Sequence, residues 1–445
     1  MNNEISGGID SYSDNVIGNE VSEGMYSRVD RETDEAKEFE IIENGTITDV
    51  PEFFAQAIHS GVRKSRKDDL SIIFTPLDTV SAAVFTTNKF LAAPIIVNKE
   101  QLSKSRNIKA VIINTGIANA CTGEVGIKNA KAIINAASRY LKLNYENIAV
   151  ASTGLIGKQL PVEKIIYGIK EVSENLDPNG GHRAAKSILT IDKNSKEIAV
   201  RINTKKILNT QKDIIIGAIG KGSIMVAPNM GTTLCFIGTN AKVEAQIMDE
   251  ILKEGVENSF NSITIDGCQS TNDMVLIQNN GESEIEINSK ESEVYKIFKK
   301  ALFFVLEEMA KKVILDGEGA SKFIEIDVLN TRSKDEAKEI GMKIANSILF
   351  KASIFGETIN WGRIASAIGS TDIDFDINKV ELYMNNFLIF TNGMEVSENV
   401  EIALPTMKQK EINVKIRMNT GDSGCRIWTT DLTHDFVKAS SHYKS

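Results

Sequence analysis

The residues of this chain whose types and spacing invite chemistry form one run: Gly220-Lys221-Gly222-Ser223-Ile224-Met225-Val226-Ala227-Pro228-Asn229-Met230-Gly231-Thr232-Thr233-Leu234-Cys235-Phe236-Ile237. A glycine-rich loop bearing a proline enters an apolar strand, with a glycine and two threonines at the junction. Three readings compete. A phosphate loop needs GxxxxGK followed at once by Ser or Thr. Here Gly222 follows Lys221, and Ile215 stands where the first glycine should be, so this reading is disfavoured. A turn feeding a buried strand would explain Gly-Thr without any chemistry. The third reading is self-cleavage, in which the Thr232 hydroxyl attacks the carbonyl of Gly231 and water opens the resulting ester. Gly231 has no Cβ and tolerates the distortion this step requires. Cleavage frees the α-amine of Thr232, whose unperturbed pKa of about 7.7–8.0 suits a general base near neutral pH. One residue then supplies both nucleophile and base. The chain's histidines, His59, His182, His434 and His442, form no recognisable Ser/His/Asp arrangement.

Acyl transfer also needs donors aimed at a developing oxyanion. Ala151-Ser152-Thr153-Gly154-Leu155-Ile156-Gly157 reads as a turn after a strand and before a helix starting near Pro161. Gly154 can present its backbone N–H there, and Thr153 can add a hydroxyl. Taken alone, the tract equally fits an ordinary strand-to-helix turn.

Around these segments, short β-branched runs alternate with helical periods. Strands are expected at Leu70–Phe74, Ala82–Phe85, Ile95–Val97, Ala110–Asn114, Ile148–Ser152, Asp213–Ile219, Leu234–Ile237 and Met274–Ile277. Helices are expected from about Val243 to Phe260 and from about Ser292 to Val313, the second with Ile297, Phe298, Ala301, Leu302, Val305 and Met309 at helical spacing. Further strands near Val380–Tyr383, Ile412–Ile416 and Cys425–Thr430 precede a short final helix. Many connections are too short for crossover helices, which favours an α/β (mixed α+β) fold of mixed sheets covered by helices over a purely parallel sheet.

The 445 residues allow one large core or two medium ones. A net charge of −9 argues against a nucleic-acid partner. No apolar run reaches a membrane span and no signal-peptide pattern opens the chain, so a cytoplasmic protein is expected. Cys121, Cys235, Cys268 and Cys425 form no CxxC and read as reduced thiols, Cys235 inside a core strand. Residues 1–40 are polar and acidic and read as a disordered extension.

The run KGSIMVAPNMGTTLCFI resembles the cleavage segment of the ornithine acetyltransferase family, the glutamate N-acetyltransferases of arginine biosynthesis. Other segments resemble that family in the same order: VFTTNKFLAAP (84–94), NTGIANACTG (114–123), ASTGLIG (151–157), ITIDGCQSTND (263–273), LDGEGASK (315–322), INWGRIASAIG (359–369) and WTTDLTHDFVK (428–438). The likeness covers the chain from about residue 50 to its end.

The resemblance implies an αββα sandwich with a smaller C-terminal domain over about 320–445. It implies cleavage between Gly231 and Thr232 into an α-chain (41–231, after the extension) and a β-chain (232–445) that assemble as an α2β2 heterotetramer. By position, Thr232 is the nucleophile, and Thr153 and Gly154 form the oxyanion hole. Thr190, Lys221, Thr232, Glu318, Ser440 and Ser445 contact substrate. Acetyl would pass from N-acetylornithine to Thr232 and then to glutamate, with no metal or organic cofactor and with acetyl-CoA as a further candidate donor. A related threonine aminopeptidase or amidase, or a paralogue with another acyl-amino-acid substrate, is the alternative. Without the resemblance, Lys221 would read as a solvated loop lysine and Glu318 as a surface carboxylate.

The sequence departs from the family pattern at several points. Gly231 and Thr233 replace the usual Ala and Met around the nucleophile, so Thr233 competes with Thr232 for the role. Ile117 replaces an asparagine, Cys268 and Gln269 replace Asp and Thr, and Ser440 and Ser445 stand at positions usually held by Asn and Thr. These changes bear on substrate choice rather than on the acyl-transfer machinery.

Overall fold

The computed structural model describes residues 38–227 and 233–442. Gly231, Thr232 and Ser445 therefore lie outside the described residues, as does the expected extension as far as residue 37. The first nine strands are β1 (Phe39–Ile42), β2 (Phe54–Ile58), β3 (Leu70–Phe74), β4 (Val80–Phe85), β5 (Ala110–Ile117), β6 (Ile148–Leu155), β7 (Lys196–Ile202), β8 (Ile214–Lys221) and β9 (Leu234–Thr239).

Two sheets stack. One has the order β1-β7-β8-β9, then the strand Met274–Asn279, then β4. It is mixed: β8 and β9 are antiparallel, while β9 and Met274–Asn279 are parallel. The other sheet has the order β2-β3-β5-β6 and is antiparallel except for the parallel β5–β6 pair.

Alternation along each strand decides which layer a residue enters, because side chains point to opposite faces with a period of two. Leu234 and Phe236 of β9 and Leu276 of the next strand meet Val111, Ile113 and Ala151 of the other sheet, forming the core between the sheets. The intervening Cys235, Ile237, Val275 and Ile277 face outward onto Ile251, Phe298, Leu302 and Val305 of helices Ala245–Glu257 and Glu293–Leu315. On the second sheet, Ile72, Ile112 and Val150 face Ile133, Ile134, Ile165 and Ile169 of helices Gly123–Leu141 and Val162–Ser173. Because both faces of both sheets are covered, the strands read as continuous apolar runs. The layers are helix, sheet, sheet, helix, the αββα arrangement.

The C-terminal third builds another mixed sheet, ordered Met394–Glu395, Phe387–Thr391, Glu381–Met384, Glu411–Arg417, Phe323–Thr331 and Ser423–Thr430. Its face is covered by Ile340, Ile344, Phe350 and Ile364, giving this region a cluster of its own. Trp428 belongs instead to the cluster beneath helix Glu293–Leu315, where it joins the third sheet to the sandwich.

Three sequence expectations need correction. Ile95–Val97 is not a strand but part of helix Ala93–Lys104. A three-residue apolar run cannot separate the two states, whereas Pro94 at the start of a helical turn favours the helix. The chain is ordered before residue 41: Phe39 and Glu40 already lie in β1, where Phe39 packs on Phe304 with ring centroids 5.4 Å apart and Glu40 pairs with Arg201. Finally, Ala151–Leu155 is the end of β6 rather than a turn after it, because Thr153 and Gly154 stay in register with Thr115 and Gly116 of β5.

Candidate active site

The loop 222–227, between the end of β8 and the residues outside the structure, is held from several sides. Asp192 accepts the Gly222 N–H at 2.7 Å. The Glu318 N–H donates to the Ser223 carbonyl at 2.9 Å. Asp266 accepts the N–H groups of Met225 and Val226 at 2.6 and 3.1 Å, and the Ile265 N–H donates to the Val226 carbonyl at 2.9 Å. On the far side, Asp273 accepts the Thr233 N–H at 2.8 Å. The chain on both sides of the Gly231-Thr232 bond is thus anchored by buried carboxylates and backbone groups.

The oxyanion candidates are linked by connectivity to Thr233, the first described residue after that bond. Asn272 donates to the carbonyls of Ser152 and Ala118, at 2.9 and 2.6 Å. The next residue, Asp273, holds Thr233. Two consecutive residues therefore bind the residue before Thr153 and the residue after Thr232. Thr153 is buried, continuing the row of Ala149 and Ala151 that faces the other sheet. Gly154 has a φ of 128°, and a Cβ on it would lie 2.3 Å from the Gly116 carbonyl carbon. Only glycine lets β5 and β6 approach this closely with that backbone.

The substrate-contact candidates converge as well. Lys221 is a buried residue of β8, 1% exposed, not the solvated loop lysine its neighbours suggest. Its ammonium donates to the Thr190 hydroxyl at 2.9 Å and lies 3.5 Å from Asp192. Burial pulls the Lys221 pKa down, and Asp192 beside it works in the opposite direction. The two lysines, Lys221 and Lys196, and a backbone hydrogen bond from Gly222 together outweigh the cost of burial at Asp192 and hold its carboxyl below the usual range.

Glu318 is partly buried rather than a surface carboxylate, and burial pushes its pKa up. The final helix, His434–His442, brings Ser440 to it. That helix is seated on the turn before Ser321 by the Thr433 hydroxyl, which donates to the Gly319 carbonyl at 2.6 Å. The Ser440 hydroxyl favours the Glu318 carboxylate electrostatically but is not within hydrogen-bonding geometry of it. Ser223 Oγ, Thr233 Oγ1, Asp273 Oδ2, Glu318 Oε2 and Ser440 Oγ are all buried with no hydrogen-bond partner among the described residues. Buried polar atoms are normally paired; these five sit on residues around one loop, while four others in the same state, on Thr46, Ser71, Gln278 and Asn279, lie elsewhere.

The positions where the sequence departs from the resemblance lie at the edge of this region. Ile117 is half-buried at the end of β5, Gln269 is half-buried, and Cys268 is exposed. Thr233 is buried and its amide is bound to Asp273.

The residues that sequence reasoning missed are the aspartates. Asp192, Asp266, Asp273 and Asp316 are buried or nearly so and organise the loop, yet none was singled out. A signal existed: Asp192, Asp266 and Asp273 each sit next to or between apolar residues at a strand or loop boundary, where a solvated carboxylate is unusual. Burial pushes the Asp273 carboxyl well above the usual range and also raises Asp266. Among the described residues, no group of three or more His, Cys, Asp or Glu side chains could hold a metal ion. No helix of the described residues is long and apolar enough to cross a membrane.

Comparison with known proteins identifies the family. The ArgJ family model matches residues 54–445. The arginine biosynthesis bifunctional protein ArgJ of Caldanaerobacter subterraneus is 37% identical over 397 residues, covering 88% of this chain and 97% of that protein. Its namesake from Bacillus subtilis is 38% identical over 401 residues, covering 90% and 97%. A crystal structure of the Bacillus halodurans arginine biosynthesis bifunctional protein argJ aligns with a TM-score of 0.40 at 33% identity, covering 43% of this chain and 97% of that one. With the family model spanning nearly all of the described residues and relatives aligned over most of its length, the chain belongs to the ArgJ family.

Proposed function

We propose that this protein is a self-cleaving amino-acid acetyltransferase that moves acetyl from N-acetylornithine to glutamate. The observation that carries the reading is the convergence of Thr190, Lys221, Glu318 and Ser440, from four separate stretches of chain, on one loop with unpaired buried polar atoms. That loop leads into Gly231-Thr232, the bond whose cleavage supplies the nucleophile.

The chemistry follows from the residues. The Thr232 hydroxyl attacks the Gly231 carbonyl, the amide C–N bond breaks and frees the Thr232 amine with the hydroxyl proton, and water then hydrolyses the ester to a Gly231 carboxylate and a free Thr232 hydroxyl. That amine then takes the hydroxyl proton as Thr232 attacks the acetyl carbonyl of N-acetylornithine. The Thr153 hydroxyl and Gly154 N–H hold the oxyanion, and ornithine leaves with the proton. Glutamate enters as the free amine and removes the acetyl group by the reverse steps. Glu318 pairs with the substrate's amino group and Lys221 with its carboxylate, both charge-assisted contacts. Acetyl-CoA is a second donor to the same threonine. The cut chains remain together as an α2β2 heterotetramer in the cytoplasm, with no metal or organic cofactor.

The test is purified protein incubated with N-acetylornithine and glutamate and assayed for N-acetylglutamate, beside a denaturing gel. Two fragments and N-acetylglutamate are expected. Thr232→Ala should run as one uncut band and lose roughly 10^4-fold or more in turnover, as nucleophile deletions do. Transfer by an uncut wild-type chain would sink the mechanism. Loss of N-acetylornithine without acetylated glutamate would make the enzyme a hydrolase.

A further inference from the structure

The carboxylate at the centre of the Thr190–Lys221 pair has no role in the reaction described above. Oδ2 of Asp192 accepts both the Thr190 N–H, at 3.2 Å, and the Thr190 hydroxyl, at 3.3 Å, and it lies 3.5 Å from the Lys221 ammonium. Oδ1 accepts the Gly222 N–H at 2.7 Å and the Lys196 ammonium at 2.9 Å. The Thr190 hydroxyl is oriented by this arrangement, since it donates to Asp192 and accepts from Lys221. Asp192 therefore ties two substrate-contact residues and the first residue of the clamped loop to one buried group.

Lys196 divides its charge. It is 1% exposed and also lies 2.6 Å from Asp316, two residues before Glu318. Asp316 is well supplied without it, because it accepts the N–H groups of Lys193 and Asn194 and the Asn194 side-chain amide, at 3.0–3.3 Å. The charged groups facing Lys221 are Asp192, Lys196 and Asp273, with the neutral Thr190 hydroxyl as its hydrogen-bond acceptor. Asp192 stabilises the Lys221 ammonium, and Lys196 opposes that effect as a like charge within the same buried pocket.

We infer that Asp192 is a positioning residue that fixes Thr190 and Lys221 for substrate and keeps Lys221 charged, while Lys196 is the competing cation that limits how strongly it does so. This rests on the reading of Thr190 and Lys221 as substrate contacts. It makes a prediction of opposite signs. Asp192→Asn removes the stabilising charge, so Lys221 loses its proton at lower pH. Lys196→Met removes the opposing charge at similar length, so Lys221 keeps its proton to higher pH.

The experiment measures ornithine binding calorimetrically from neutral to alkaline pH on the full chain, cut or uncut. Wild type, Asp192→Asn and Lys196→Met are compared, with melting temperature as a check on folding. Ornithine's own titration is common to all three. The pH at which binding is lost should fall by about one unit in Asp192→Asn and rise by a similar amount in Lys196→Met, a tenfold change in Kd at fixed pH for each unit. A merely structural role would weaken binding in both variants without moving the midpoint in opposite directions. If Asp192→Asn does not fold, the upward shift in Lys196→Met still decides the matter. Midpoints that coincide, or move together, overturn the inference while leaving the substrate reading intact. No binding by wild type overturns both, since Asp192 then has no substrate contact to position.

Discussion

Between its two sheets this protein is mainly apolar, with neutral polar side chains such as Ser71 and Gln278 among the aliphatic ones, whereas at the end of the sandwich where β8 stops and β9 begins it buries a cluster of ionisable groups. The inner faces contribute Val111, Ile113, Leu234, Phe236 and Leu276. A few residues away, Lys196, Lys221, Asp273 and Asp316 are buried, and so is the side chain of Asp192. Replacing buried ion pairs with well-packed apolar residues is often neutral or stabilising. A fold selected for stability alone would therefore have continued the apolar core to the end of the strands. The difference teaches that this end is not explained by packing stability, and it is the end on which the proposed substrate contacts converge. The third sheet is intermediate: its ion pair Arg426–Asp327 is only partly buried, and beside its apolar cluster it buries Lys351 against the Thr429 and Thr430 hydroxyls.

Breaking the charged end should cost activity, and breaking the apolar interior should cost stability. After loss of the nucleophile itself, the largest effect is expected at Gly154. A Cβ there would meet Gly116 at 2.3 Å and displace the backbone donor, so Gly154→Ala should lower kcat by roughly 10^2–10^3, the usual loss for one oxyanion donor. Steady-state kinetics on protein that still shows wild-type circular dichroism would measure it, and an unchanged kcat would remove Gly154 from the oxyanion hole. Glu318→Gln comes next. It keeps the shape but loses the charge, and a charge-assisted hydrogen bond worth about 1.5–3 kcal/mol predicts a rise in KM of roughly 10–100-fold with a smaller change in kcat. A KM that stays put would return Glu318 to the structural residues.

The smallest effect on chemistry should come from the interior. Leu302 is fully buried between helix Glu293–Leu315 and the first sheet. Leu302→Ala should cost roughly 2–5 kcal/mol of stability in a denaturant titration while leaving KM unchanged at temperatures where the variant is folded. A KM change comparable to that of Glu318→Gln would erase the distinction between the two regions.

Much of the architecture was legible in the sequence because apolar periodicity reports burial directly. Leu70–Phe74 and the helix from about Ser292 to Val313 were read closely, since five apolar or small residues in a row, or a stripe repeated over six turns, leave little choice. Lys196–Ile202 was missed because Lys196, Glu197 and Arg201 break the apolar run, and what makes it a strand is pairing with β1 and β8. In the site, the rare motifs pointed to Thr153, Gly154, Thr190, Lys221 and Glu318, although nothing local showed that Lys221 is buried.

What the sequence determined by itself was the alternation that assigns each strand residue to a layer, the glycine that two strands can close upon, and the Gly231-Thr232 pair just ahead of an apolar run. What only the tertiary structure decided was which carboxylate meets which lysine. Asp192 and Asp316 are separated by more than a hundred residues, yet Lys196 sits between them at 2.9 and 2.6 Å. Periodicity is a short-range property of the backbone, whereas the balance of buried charges depends on distances that exist only once the sheets have stacked and water has left.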